Sequence, residues 1–393
     1  MPFIPLLRAL LSLAGLVLIA SVAWLLWTWW SGELVVYDPG LTIRVREDWR
    51  LWTALALVAF SALGRVPMLL LIAKPDTDPT RAMRARGEMV ASPTGAELYV
   101  EVDGAAEGPV VIANHGWGLD STIWRYLKRD LAEARTLAPN QLITWDLAGV
   151  GRSKAPEDGR ITLENFAADL ETLIVRVAPR PVILIGHSIG GMTIQTLVRD
   201  APALVRDRVA GIVLVNTTYT NPLKTMILSG LAQALRKPVL EPMFRLTILL
   251  KPLAWLSAWQ SYFNGMSHLA NRLQFAGSVT YSQLDHTTLL GTRNSPAVLA
   301  KGNLAMFDWD ATGAMAGFTG PVLVIGGEQD LVTRLEAGEA IRAQSSTGEL
   351  QRVSNANHMG FLERSHHYNA LIGAFIVANG GVVRPPIPAS LAQ

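Results

Sequence analysis

The stretch Leu184–Gly191 reads LIGHSIGG, an apolar run followed by Ser188 with Gly186 two residues before it and Gly190 two residues after it. The run begins at Val182 and has the character of a buried strand, while GMTIQTLVRDA, which follows, has helical spacing. In that strand–turn–helix setting, G-x-S-x-G describes a strained turn that holds a serine hydroxyl out at the carboxyl end of a strand, its glycines letting helix and strand pass closely. The plainer reading is a glycine-rich turn with an incidental serine. The two differ in what else the chain must contain, because a hydroxyl is a weak nucleophile until a base removes its proton and a third group orients that base.

Seven histidines are available. His358, in NANHMGFLE, follows the last expected strand and precedes a helix, which puts it on the same strand-end edge as Ser188 and makes it the expected base. His366 and His367 fall in that following helix, and His268 and His286 lie in a long insertion. His187 adjoins the serine, but the turn is expected to aim it away into packing. For the acid, VLVIGGEQDLVT places Glu328 and Asp330 beyond a buried strand. Asp330 is favoured, since an acid three residues past the second glycine can face the histidine; Glu328 is the reserve. Acyl transfer also needs donors for an oxyanion. The backbone N–H groups of Ile189, after the serine, and Trp117, in NHGWG, stand at suitable places, and His115 is expected to be a hydrogen-bonded loop residue.

From Glu97 onward, short β-branched runs alternate with amphipathic stretches, the pattern of a mostly parallel sheet covered by helices. Strands are expected at 97–102, 110–114, 142–146, 182–186, 211–216, 322–327 and 350–355, a helix at 163–177, and another from Ser121 capped by Asp120. About 105 residues of helical character separate Asn216 from Val322, too long for a loop and best read as a lid. The expected organisation is a membrane anchor at 1–75, core segments at 76–216 and 321–380 around a lid at 217–320, and a flexible tail at 381–393.

The anchor rests on Ala9–Trp30, which holds 22 residues without a charge where about 20 cross a bilayer as helix. Trp24, Trp27, Trp29 and Trp30 form an interfacial belt. A signal peptide cleaved after Ser21-Val22-Ala23 is the competing reading, opposed by the apolar residues that continue past that site. Leu51–Ala73 is a second candidate span, interrupted by Arg65 and Pro67; a half-buried hairpin on the membrane is its alternative. With two spans, the distribution of arginine and lysine places the catalytic domain on the cytoplasmic side. Net charge is +2, from 34 basic and 32 acidic residues, so no field invites nucleic acid. The absence of cysteine excludes disulfides and thiolate chemistry. DLAGVGRS lacks the last glycine of a dinucleotide loop and no HExxH pair is present, so no cofactor or metal is expected.

Taken together, NHGWGLDSTIW, WDLAGVGRS, GHSIGG, GGEQDLVT and NANHMGFLE closely resemble the α/β-hydrolase fold superfamily in order and spacing, from Glu97 to Asn379. The resemblance implies Ser188 as nucleophile, Asp330 as acid and His358 as base, with Trp117 and Ile189 as oxyanion donors and Asp146–Ser153 as a structural turn. Relatives that open epoxides or carbon–halogen bonds carry aspartate where this chain has Ser188, so acyl transfer from an ester, thioester, lactone or amide is favoured. Perhydrolase and carbon–carbon bond hydrolysis use the same triad. From Lys224 to Phe275 the lid holds six basic residues and a single acid, Glu241, among many leucines. That composition suits contact with anionic lipid and a lipophilic ester substrate. The alternative class is a noncatalytic membrane protein that keeps the fold as a binding domain.

Overall fold

The apolar runs become strands because β-branched side chains alternate between two covered faces. The computed structural model describes residues 3–81, 84, 86–104, 110–134 and 140–380; the tail expected at 381–393 lies outside the described residues. Ten strands are described: a hairpin of β1 (Glu33–Asp38) and β2 (Leu41–Val45), then β3 (Gly87–Ala91), β4 (Glu97–Gly104), β5 (Val110–Asn114), β6 (Gln141–Trp145), β7 (Val182–His187), β8 (Val209–Val215), β9 (Val322–Gly327) and β10 (Gly348–Val353). The last eight form one sheet in the order β10-β9-β8-β7-β5-β6-β4-β3. Pairing is parallel from β10 through β6, and antiparallel where β4 meets β6 and β3. The hairpin β1–β2 and the edge strand β3 were not anticipated from sequence; β3 is five residues long and carries a glutamate, too short a run to declare itself.

Among helices, α1 is Phe3–Ser31, α2 Asp48–Leu63, α3 Arg65–Ile72, α4 Arg125–Glu133, α5 Leu163–Arg176, α6 Ile189–Asp200 and α7 Pro202–Arg208. The segment between β8 and β9 contains α8 (Pro222–Thr225), α9 (Ser229–Leu235), α10 (Glu241–Leu249), α11 (Lys251–Phe263), α12 (Met266–Arg272), α13 (Tyr281–Arg293) and α14 (Pro296–Asp308). After β9 come α15 (Leu335–Gln344), α16 (Gly360–Glu363) and α17 (Ser365–Asn379). Asp120 caps the 3₁₀ turn before α4 by accepting the Thr122 N–H, as its sequence position suggested.

The core divides at the sheet. Val110, Ile112, Leu184, Leu214 and Val324 pack with Phe166, Leu170, Met192 and Leu197 of α5 and α6. Val111, Ile183, Ile185, Val213 and Ile325 pack with Leu127 and Leu131 of α4 and Ile372 and Ile376 of α17. Burial of each such side chain favours folding by about 1.5–3 kcal/mol, which makes the sheet a rigid platform for whatever stands on its carboxyl edge.

At the N-terminus, the described helix Leu13–Ser31 is long and apolar enough to cross a membrane by length and composition. The second apolar stretch departs from one straight span: α2 and α3 meet at 60°. The break falls at Gly64, and Pro67 sits in the first turn of α3, where a missing N–H costs little. Arg65, costly in a bilayer, is instead held by the lid: it donates to the Tyr262 hydroxyl and lies 3.6 Å from Asp285.

Candidate active site

Ser188 stands between β7 and α6 with φ 52° and ψ −119°, a conformation that costs a non-glycine residue about 1–3 kcal/mol. Surrounding contacts hold it there: the Ser188 N–H donates to the Val215 carbonyl and Thr217 Oγ1 donates to the Ser188 carbonyl. Gly190 explains the strictness of the motif, since a Cβ there would lie 2.3 Å from the Asn114 carbonyl oxygen of the neighbouring strand. The turn is possible only because that atom is missing.

His358 reaches the serine from the loop after β10. Its Nε2 is 3.0 Å from Ser188 Oγ, and its Nδ1 is 2.9 Å from Asp330 Oδ2. Asp330 is fully engaged: Oδ1 accepts the N–H groups of Val332 and Thr333, and Oδ2 accepts the Thr333 hydroxyl. These bonds leave the carboxylate acceptor-only toward His358, so Nδ1 carries the proton and Nε2 faces the serine as an acceptor. Glu328, the reserve acid, is exposed and uses its backbone N–H on the Val353 carbonyl. The structure therefore brings Ser188, His358 and Asp330 into one hydrogen-bonded line and leaves Glu328 outside it.

Ile189 is the first residue of α6, where an N–H has no acceptor in the preceding turn of helix. Trp117 lies in a turn closed by the Leu119 N–H on the Gly116 carbonyl, and Gly116, Trp117 and Gly118 all line the cavity beside Ser188. The Trp117 indole donates to the Leu299 carbonyl of α14 and packs on Phe166, so the turn is tied to lid and core together.

Two other histidines support this edge. His115 donates through Nδ1 to the Gly116 carbonyl and accepts the Leu147 N–H at Nε2, a neutral tautomer locked between two loops. Burial holds its pKa below the ordinary imidazole range. His187 is buried in packing, as expected, but it packs on the histidine loop and lines the cavity rather than turning away from it. Its ring stacks 4.9 Å from that of His358 and 4.4 Å from Phe361, and its Nε2–H donates to the His358 carbonyl. Burial, and then the neighbouring His358, keep its pKa well below the ordinary value.

Sequence reading also missed Asn216 and Arg84. Asn216, at φ 43°, donates through Nδ2 to the carbonyls of both Asn357 and His358 and accepts the Gly327 N–H, joining the ends of β8 and β9 to the histidine loop. A lone asparagine after a strand carries no local signal of that role. Arg84 pairs with Asp120 and Asp146, while Asp146 accepts the N–H groups of Ser121 and Arg152. The DLAGVGRS turn is thus a buried electrostatic joint, in keeping with its structural reading. His268 and His286 serve the lid: His268 bonds Asp285, and His286 lies against Thr122, with its pKa lowered by burial to about 4. His366 and His367 are exposed on α17.

Above the serine is a cavity of about 420 Å³ lined by Ser188, His358, Gly116 and Trp117, by Met243, Phe244 and Leu246 of α10, and by Leu250, Leu253 and Ala254 around α11. Leu299, Met306 and Phe307 close it from α14. A site with a polar line at its floor and mostly apolar walls, interrupted by Thr247, Ser257, Thr287 and Asn303, fits a substrate with a reactive polar group on a largely apolar body.

Residues 109–365, more than half of the chain, match the family described as alpha/beta hydrolase fold, and the chain belongs to that family of hydrolases. A pimeloyl-[acyl-carrier protein] methyl ester esterase from Nitrosospira multiformis is 26% identical over 289 residues, covering 71% of this chain and 97% of the relative. A relative named for carbamate hydrolysis, RutD from Variovorax paradoxus, is 34% identical over 119 residues, which is 30% of this chain and 42% of the relative. Among solved structures, an esterase from Exiguobacterium antarcticum superposes with a TM-score of 0.59 at 18% identity, covering 74% of this chain and 100% of its own. A bromoperoxidase from Bacillus anthracis gives a TM-score of 0.59 at 20% identity over the same share of this chain. At those identities the two structures speak to the fold.

Proposed function

We propose that the protein is a membrane-anchored serine hydrolase that cleaves carboxylic esters of lipophilic acids through an acyl-enzyme. The observation that carries this reading is the 3.0 Å approach of His358 Nε2 to Ser188 Oγ at the floor of an apolar cavity. In the first half-reaction Ser188 Oγ bonds to the carbonyl carbon as His358 takes the hydroxyl proton, and the carbonyl electron pair moves to an oxyanion facing the Trp117 and Ile189 N–H groups. Collapse breaks the bond to the alkoxy oxygen, which leaves as alcohol with the proton from His358. Water then repeats the sequence on the acyl-serine, releasing the carboxylic acid. Asp330 keeps the imidazole in the required tautomer and stabilises its charged form.

The methyl ester esterase relative, matched over 97% of its own length, supports the ester class. The apolar α1 supports the anchor. If α1 and α2 both cross the bilayer, the basic residues flanking them favour a cytoplasmic catalytic domain. Labelling with a fluorophosphonate probe, followed by turnover of p-nitrophenyl esters of rising chain length, tests the reading. Labelling and turnover should vanish in Ser188→Ala. A folded wild type that takes no label would overturn it in favour of a binding domain.

A further inference from the structure

Resting on that reading, we propose that α10, α11 and α1 form one lipid-embedded face through which the ester enters the cavity laterally from the bilayer. The first observation is that α1 is part of the site: Leu13 and Leu16 line the same cavity as Ser188 and His358. Gly15, between them, lets α1 lie directly on the lid, since a Cβ there would fall 2.2 Å from the Gln260 side chain of α11. The helix best suited to cross a membrane is therefore also a wall of the substrate chamber.

The second observation is what stands outside that wall. Leu246, Leu250 and Leu253 line the cavity and are themselves 41–54% exposed, so the mouth is made of leucines open on both sides. Leu249, at 76%, and Leu256, at 56%, extend the surface beyond the mouth, and Leu10, Leu13 and Val17 continue it on α1. A soluble monomer rarely leaves so continuous an apolar surface open to water. Its occupant is the bilayer rather than another protein, because Leu13 of the candidate span lines the same cavity as Leu246, Leu250 and Leu253 and is exposed like them.

The charge pattern agrees, with a correction to what composition suggested. Several of the lid's basic residues are consumed internally: Arg236 binds Glu241 and Asp308, and Arg272 donates to the carbonyls of Ile72, Phe275 and Ala276. Lys237 and Arg245 likewise pair with Glu241, so seating draws mainly on apolar contact, with Lys251 exposed beside Leu250 and no acidic residue between Glu241 and Asp285 to repel anionic headgroups. Arg65 and Asp285, joined through Tyr262, fasten α3 to the lid and fix the anchor relative to the mouth. The substrate class that follows is an ester resident in the membrane, its acyl chain passing between Leu13 and Leu250 while its carbonyl reaches Ser188.

The chain has no cysteine, so single cysteines can carry nitroxides without background. Full-length protein in vesicles of phosphatidylcholine and phosphatidylglycerol, labelled at Leu249→Cys, Leu256→Cys, Val17→Cys and Glu349→Cys, should relax more with oxygen than with a water-soluble nickel chelate at the first three sites and the reverse at the last. In parallel, Leu249→Glu with Leu256→Glu should lower turnover of vesicle-borne p-nitrophenyl palmitate by at least about 10-fold while leaving dissolved p-nitrophenyl butyrate within about 2-fold. Water-like accessibility at Leu249 and Leu256, or equal changes for the two esters, would overturn the proposal. A wild type inert toward both esters would overturn the hydrolase reading instead, and the nitroxide pattern would still decide the seating.

Discussion

The two ends of the cavity are built on opposite principles. At the floor, Ser188, His358, Asp330, His187 and Asn216 form a buried network whose side chains are held by directional hydrogen bonds. At the mouth, leucines of α1, α10 and α11 stand exposed with little that is directional to hold them. Removing one partner from the floor strands another, whereas removing one leucine from the mouth strands nothing. Under the proposed function, precision is concentrated where bonds would be made and broken, and adaptability where an acyl chain would only have to slide past.

The comparison can be broken most severely at the floor. Ser188→Ala or His358→Ala should lower turnover by at least about 10⁴-fold, and Asp330→Asn by about 10³–10⁴-fold with the fold intact, measured as kcat on a soluble ester alongside circular dichroism. Asn216→Ala should destabilise by about 1–3 kcal/mol in urea unfolding and lower kcat as well, because the carbonyls of Asn357 and His358 lose a donor. Equal kcat in that variant would show that the histidine loop holds its own position.

Acid should sharpen the contrast. The folded-state pKa values of His115, His187 and His286 all lie below the ordinary 6.5 through burial, the last at about 4. Their contribution is present in full above about pH 6.5 and declines as pH falls toward the folded values, since the unfolded chain then binds more protons. For His286 stability should drop by about 1.4 kcal/mol per pH unit between about pH 6 and 4, with His115 and His187 adding loss in the same direction, followed as Tm. His286→Asn should flatten that slope by one group's share. The smallest effect belongs to the mouth: Leu249→Ala in detergent should change stability by no more than about 0.5 kcal/mol. A larger loss would mean that Leu249 packs on protein instead of facing lipid.

The strands of the sheet and the serine turn were readable because their signals are local. A five-residue apolar run covered on both faces, as in Val110–Asn114, and glycines at fixed offsets from Ser188 state their conformation within a few positions. The hairpin at 33–45 and the edge strand β3 escaped because each pairs along one side and neither shows a buried pattern. The packing of His187 was readable but its direction was not, because its ring rests on Phe361 and His358, about 170 residues away in the chain. Arg84 is equally silent in sequence, since its partners Asp120 and Asp146 come from two other loops.

By itself the sequence determined the chemistry available: a serine on a glycine-bounded turn, a histidine and aspartate at the ends of later strands, no thiol, and an apolar N-terminal run. These follow from short-range sterics and composition, which any stretch of chain carries with it. Only the tertiary structure decided that the apolar run is a wall of the site, that Arg65 leaves the second stretch to dock on the lid, and that the lid's leucines face outward at the mouth. Those outcomes depend on which helix faces meet across hundreds of residues, and hydrophobic burial, being non-directional, selects among them only when the whole fold closes.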